Sequence, residues 1–571
     1  MIQYYSVHYP ECPQKGVEFV LLMRPAVHSP YNPFIQEEVM KRYLLFVALF
    51  IVCLCLTTTA SAVQTVTLNG TSQIAVTDLN RDGVRLEIGI GELQFHDVTT
   101  QHGDFTLLSF PGSNRSQMIG EPDLPTVNRL LSIPFGARLK VEVVDSDVEE
   151  IKLADLGIRN ILIPVQPSIS KSDDPASVPF EFNKSLYEQA GYYALPLAQS
   201  EVLGTMRDVN LGFVTISPIE YDPVGQTIRV HKNLTVNVTY ENPDWVLTDQ
   251  MARTYSSPFF ESVFSHVSNF AQQRSAKRHD LVKYPVKYLI ISHRMFEAQL
   301  QPFIEWKTQK GFKVSVAYTD VIGSTTAAIK TYIQSVYNSA QPPENPAPSF
   351  VLFVGDDQQI PAHDYGEHIS DLYFCEFTND NFPEIYYGRF SAQNTAQLQP
   401  QIDKTLEYEK YLMPDPSYLA EVTMVSGVDG TYAATHGNGQ INYGTNYYFN
   451  AAHGISPNVW LYPASSGSVE AAIIQTVSDG VALYNYTAHC SHAGHADPTF
   501  ETSDLSSLTN YHKYLLGIGN CCLSNTFGDD YSTPCFGEAF LQMVDRGGIG
   551  YIGGSNSTYW YEDYYWGVGN G

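Results

Sequence analysis

From Tyr284 onward the sequence alternates apolar runs of strand length with helical stretches. The runs are "VKYLIIS", "FKVSVAY", "SFVLFVGDD", "AEVTMVSGVDG", "VALYNYTAHC", "KYLLGIGNCC" and "GGIGYIGGSN". A strand that is apolar on both sides must be covered on both faces, and helices between strands supply the covers. The pattern therefore predicts an α/β region built on parallel sheet. Between the first two runs, "LQPFIEWKTQKG" places Phe303, Trp306, Lys307 and Lys310 at helical spacing, and Gly311 stops the helix. Ligands of open parallel sheets bind beyond the carboxyl ends of the strands. Asp429, His489, Cys522 and the segment Asn556 to Asp563 each follow one of the runs, so four strand ends can converge on one site.

The residues before this region read differently. From Val63 to about Tyr240, short alternating stretches such as "LLSIPFGARLKVEVVD" and "TIRVHKNLTVNVTY" predict a mostly β domain, with Leu234, Val236, Val238 and Tyr240 on one face. "QQRSAKRHDLVKYP" then gives a basic linker over about 271–283, open to a trypsin-like cut. The expected organisation is a β-rich domain over 63–283, followed by two α/β subdomains, 284–417 and 418–571. Ahead of these, "MKRYLLFVALFIVCLCLTTTASAVQ" has a basic start, a short apolar core and an A-x-A cleavage pattern, which makes 40–62 a secretory signal peptide and 1–39 an upstream extension foreign to it. No other stretch is long and apolar enough to span a membrane. With 33 basic against 60 acidic side chains, a net charge of −27 argues against nucleic acid as partner.

Cys12, Cys53 and Cys55 precede the cleavage point, leaving five of the eight cysteines: Cys375, Cys490, Cys521, Cys522 and Cys535. An odd number leaves at least one thiol unpaired in an exported chain. A thiol nucleophile needs a strand-end position, a nearby imidazole and backbone amides for the developing oxyanion. Cys522 and His489 meet the first two needs; equally, Cys521 and Cys522 are both readable as small buried hydrophobes. A bond between these neighbours would be strained, so pairing of the doublet to Cys490 or Cys535 is the more favourable oxidised state. "HCSHAGH" also offers His489, Cys490, His492 and His495 as zinc ligands, though without a C-x-x-C or H-E-x-x-H spacing.

Two further stretches carry chemistry. "TNDNFPEIYYGRF" holds Asp380 and Glu384 in a polar loop, oxygen ligands of the kind calcium takes, or a solvated turn. "STYWYEDYYWG" sets Glu562 and Asp563 among aromatic rings, which suits either a cation pocket or a surface aromatic belt.

Taken together, "NYTAHCSHAGHADP", "IGNCCLSNTF", "PCFGE", "YIGGSNSTYWYEDYYWGVG", "FIEWKTQKGF" and "FPEIYYGRF" resemble the gingipain family of cysteine peptidases, most closely its lysine-specific branch. The resemblance covers 284–571, and the β-rich part with "GEPDLP" looks like the family's inhibitory propeptide. It implies a caspase-like parallel-sheet catalytic domain in two subdomains behind a mostly β prodomain. By the same resemblance Cys522 is the nucleophile, His489 the catalytic histidine and Asp429 the acid that orients it. The amides of Cys490 and Cys522 are the oxyanion donors, and Thr487, Trp560 and Asp563 form the S1 pocket. Gln440 stands where arginine-specific members have their S1 acid, which favours lysine. Asp380 and Glu384, with the Phe377 and Phe382 carbonyls, match a calcium loop.

The resemblance thus implies a secreted zymogen that cleaves peptide bonds after lysine, inhibited by its own prodomain, needing no cofactor for catalysis and holding structural calcium. Two departures stand out. Cys490 replaces the glycine after the catalytic histidine, where it could oxidise with Cys522, and His495 replaces a tryptophan. The chain is also expected to stop in mid-domain at Gly571. Cys490 raises the alternative of an inactive binding protein of the same shape, and the histidine cluster that of a zinc-dependent hydrolase.

Overall fold

The computed structural model describes residues 63–271, 285–366, 368–528 and 533–568. The signal peptide and upstream extension lie outside the described residues, as does nearly all of the basic linker. Residues 63–571 form one compact unit.

Two all-parallel sheets organise the α/β region. In the four-stranded sheet the order is Lys313–Tyr318, Lys287–Ser292, Pro348–Val354, Tyr386–Phe390. In the five-stranded sheet it is Ser456–Trp460, Glu421–Ser426, Leu483–Thr487, Leu515–Asn520, Gly548–Gly553. The central strands are mostly buried, as the apolar runs require: Leu289, Ile290 and Ile291 are inaccessible, and so are Tyr486 and Leu515. Helices pack against the sheets, among them Glu297–Gln309, which ends at Gln309 ahead of a left-handed Gly311, and Thr395–Glu409. Two strands lacked a clear sequence signature. Tyr386–Phe390 is a half-exposed edge strand, and Ser456–Trp460 is an edge strand carrying a proline that a central strand would not tolerate.

Residues 63–271 are built mainly on antiparallel sheets. Leu234, Val236 and Val238 face Ile88, Leu86 and Val84 across one ladder, and with Tyr240 they are buried in a single core. A second ladder brings Ala198–Met206 against Val209–Ile216 through a two-residue turn. Arg207 in that turn adopts φ 59, and its fully buried guanidinium reaches the α/β region. There it donates to the carbonyls of Pro348 and Glu384, each at 2.9 Å.

Candidate active site

Parallel pairing aligns the strand ends. Ser426 lies opposite Thr487, and Thr487 opposite Asn520. The chain therefore delivers Asp429, His489 and Cys522, each two or three residues beyond its strand, to one edge of the sheet. His489 Nε2 lies 2.9 Å from Asp429 Oδ2. The other Asp429 oxygen accepts from the amides of Thr431 (2.8 Å) and Tyr432 (2.6 Å). Burial works against the charge of this carboxyl, but the bonds from His489, Tyr432 and Thr431 outweigh it and hold it below the usual aspartate range. Cys522 is a free thiol with only 1 % of its surface exposed.

What covers the thiol is a segment of the β-rich domain. Ile169 to Lys171 runs antiparallel to Thr558 to Trp560: Lys171 N donates to Thr558 O (2.8 Å), and Trp560 N donates to Ile169 O (3.1 Å). Lys171 thereby enters the pocket that the sequence assigned to Thr487, Trp560 and Asp563. Its ammonium has three protons and finds three acceptors: Asp563 Oδ2 at 2.6 Å, the Asn520 carbonyl at 2.7 Å and Thr487 Oγ1 at 3.4 Å. The Trp560 ring lies beneath it, 4.7 Å from Nζ, and is itself stacked on Tyr432. Burial pulls the Lys171 ammonium below the usual lysine range, opposed chiefly by Asp563.

Beyond Lys171 the chain meets the catalytic groups. Ser172 Oγ lies 3.3 Å from Cys522 Sγ, and the Lys171 carbonyl accepts from His489 Nδ1. Both partners of the imidazole, the Lys171 carbonyl and the Asp429 carboxylate, are acceptors. The imidazole is thus held between the covering segment and Asp429.

Sequence reasoning did not find Lys171, Ser172 or Asn520. Asn520 could have been found, because it ends the strand that carries Cys522. Lys171 sits in "SISKSDDP", which reads as any polar loop.

The cysteines correct one expectation. Cys490 pairs with Cys521, at a Cα–Cα distance of 5.3 Å, and not with Cys522. Cys375, Cys522 and Cys535 are free and buried. Cys535 caps the helix Phe536–Gln542, its amide donating to Glu538. The histidines do not converge as a zinc site would require. His489 is engaged by Asp429, His492 Nε2 lies 2.9 Å from the Thr533 carbonyl, and His495 is buried with Nδ1 on the Tyr484 hydroxyl. Cys490, His495 and Cys521 do bring ligand atoms within 4.8 Å of one another, but two of the three are spent on the disulfide.

Asp380 and Glu384 share one loop. Thr378 Oγ1 lies within hydrogen-bond distance of both, 2.8 Å from Asp380 Oδ2 and 3.1 Å from Glu384 Oε1, and Glu376, which sequence reasoning missed, accepts from the amides of Asn379 and Asp380. Burial, aided by the charges of Asp380 and Glu376, pushes the Glu384 carboxyl up to about 8. Carboxylate oxygens are the ligand type a hard cation takes, but among the described residues the group of three or more metal-ligating side chains that converges is Cys490, His495 and Cys521. The amides of Phe377 and Phe382 donate to Glu384 and Asp380 respectively. The β-rich domain also reaches this loop, through Thr205 N on Asp380 Oδ2 (2.6 Å). Gln440 is buried beside Gly567 of the helix that carries Asp563, so no carboxylate stands there.

Residues 282–568 match the model of peptidase family C25, and residues 64–270 match that of the C25 propeptide. Lys-gingipain W83 of Porphyromonas gingivalis is 38% identical over 482 residues, which are 84% of this chain and 27% of that protein. Gingipain R2 of the same organism is 26% identical over 83% of this chain and 63% of its own length. A solved structure concerned with the zymogenic latency of gingipain K from P. gingivalis is 31% identical, covering 32% of this chain and 99% of that one at a TM-score of 0.31. The chain thus spans about a quarter of the length of the Lys-gingipain it matches.

Proposed function

Because this chain belongs to peptidase family C25, we propose that it is a secreted cysteine endopeptidase made as a latent zymogen and specific for lysine before the cut bond. The observation that carries the reading is Lys171, whose ammonium pairs with Asp563 and donates to the Asn520 carbonyl while its backbone pairs as a substrate strand would. In turnover a substrate lysine replaces Lys171, its ammonium on Asp563 and its stem on Trp560. Cys522 thiolate attacks the following carbonyl, and the amides of Cys490 and Cys522 receive the oxyanion. His489, oriented by Asp429, protonates the leaving amine, and water then releases the acyl group.

The matched Lys-gingipain supports the lysine preference, as does the lack of a carboxylate at Gln440. The alternative of an inactive protein drew on Cys490 silencing Cys522; with Cys490 bonded to Cys521, that ground is gone. Export rests on the signal sequence; among the described residues no helix is long and apolar enough to cross a membrane. The expected result is that mildly reduced, activated protein takes up one equivalent of a peptidyl-lysyl chloromethyl ketone on Cys522, seen by mass spectrometry. No adduct there would sink the enzyme reading.

We also infer that Asp380 and Glu384 bind structural calcium, with Glu376 nearby and carbonyls such as those of Phe377 and Phe382 completing the shell. The ion would neutralise the crowded carboxylates and stiffen the loop. Calcium is expected to raise the melting temperature of the wild type by about 3 °C, by favouring the folded state that binds it. The Asp380→Ala variant should show no such rise; an equal rise in the variant would place the ion elsewhere.

A further inference from the structure

The disulfide joins the two catalytic segments at their most sensitive points. Cys490 directly follows His489, and Cys521 directly precedes Cys522. Strand pairing holds these segments together only as far as Thr487 and Asn520. Beyond that pair the chains leave the ladder: His489 turns into the short hairpin that pairs Cys490 with His495, and Cys522 turns into the loop before Cys535. The disulfide is the covalent tie across this gap, with a sequence separation of 31. Cys521 is inaccessible, while Cys490 is partly buried and packs against the same core. The floor is rigid. His495 is fully buried, stacked on Tyr486 at 4.3 Å between ring centres, and its Nε2 has no hydrogen-bond partner.

We propose that the Cys490–Cys521 disulfide is a positioning element for catalysis, which fixes His489 against Cys522 and sets the spacing of the two oxyanion amides. The proposal rests on the cysteine-peptidase reading. One of those amides belongs to a bridged residue, and the other immediately follows its partner. A shift of about 1 Å in such a constellation can cost on the order of 100-fold in rate. The bond also occupies Cys521, which keeps the neighbouring thiol from the nucleophile. Its reduction is a two-electron exchange: one dithiol gives its two electrons and two protons to the bridge, becomes a cyclic disulfide, and leaves two free protein thiols. A thiol peptidase of this design has two opposite responses to reductant. A mild monothiol keeps Cys522 reduced and active, and a strong dithiol opens the tie and slows turnover.

The test uses the full chain after activation, first assayed in a mild monothiol, where turnover of a lysyl substrate establishes the premise. The double variant Cys490→Ser, Cys521→Ser is then expected to lose kcat by about 10- to 100-fold with KM changed by less than about 2-fold. Its near-ultraviolet dichroism should be unchanged, and its pH–rate profile should be displaced. Dithiothreitol should lower wild-type kcat to a similar level, reversibly on reoxidation with oxidised glutathione, and leave the variant unaffected. Equal kcat and pH profile in variant and wild type would overturn the proposal while leaving the enzyme reading intact. If the variant does not fold, the dithiol titration of the wild type decides. Two newly labelled thiols with lost turnover support the tie, and two labelled thiols with full turnover overturn it. No turnover by the mildly reduced wild type overturns both readings.

Discussion

In the Asp563→Ala variant, kcat/KM for cleavage after lysine should fall about 10³-fold, while Cys522 still reacts with iodoacetamide at close to the wild-type rate. The expectation follows from the three acceptors around the Lys171 ammonium. Two are neutral, the Asn520 carbonyl and Thr487 Oγ1, and Asp563 alone brings a compensating charge. The ammonium is wholly buried, and Asp563 is 15 % exposed. Removing one member of a buried pair leaves the other uncompensated, at a cost of about 3–5 kcal/mol. Each 1.4 kcal/mol is about one decade, which gives the stated loss. Trp560 would still hold the alkyl stem, so residual cleavage should fall on uncharged side chains of similar length. Undiminished cleavage after lysine would mean that the pocket lies elsewhere.

The same pocket predicts the behaviour of the latent form. Replacing Lys171 by Ala should weaken inhibition by the prodomain about 100- to 1000-fold, because the lost contact is the same buried pair seen from the other partner. The prodomain should nonetheless stay docked. Arg207 remains anchored on the carbonyls of Pro348 and Glu384, and Thr205 on Asp380. The clean measurement is the rate at which uncut protein is labelled at Cys522 by a small alkylating reagent. It should rise in Lys171→Ala and stay low in Ser172→Ala, where only a hydroxyl contact is lost. Equal labelling of wild type and Lys171→Ala would show that something other than this side chain closes the site.

How far the sequence could be read depended on how far apart the interacting residues lie. The strands were legible because a strand buried on both faces writes its burial into consecutive residues, as "YLIIS" and "FVLFV" do. Convergence of Asp429, His489 and Cys522 followed from the parallel sheet, since like ends of parallel strands come together. The choice between Cys521 and Cys522 did not follow from geometry; it needed the family resemblance. Cys490 could be read as a candidate partner of the doublet but not matched to Cys521 over Cys522, because which thiols of two separate loops meet is decided by how the loops fold back. Lys171 was hidden for the same reason. In sequence it is a polar residue in a polar loop, and its burial is created by partners more than 300 positions away. The resemblance named Thr487, Trp560 and Asp563, but nothing in the sequence named the lysine that lies among them.

The way Lys171 fills that pocket makes latency a matter of chain connectivity. While the polypeptide is continuous, the plug is tethered to its socket and competes with substrate at an effective concentration that a short tether sets near about millimolar. A single cut in the basic linker at about 271–283 lies outside the pocket, but the plug becomes a separate molecule whose occupancy follows bulk concentration. Dilution alone then releases the enzyme, with a delay set by how slowly the plug leaves. A cut zymogen of this design would stay silent where it is made and crowded, and would awaken as it spreads.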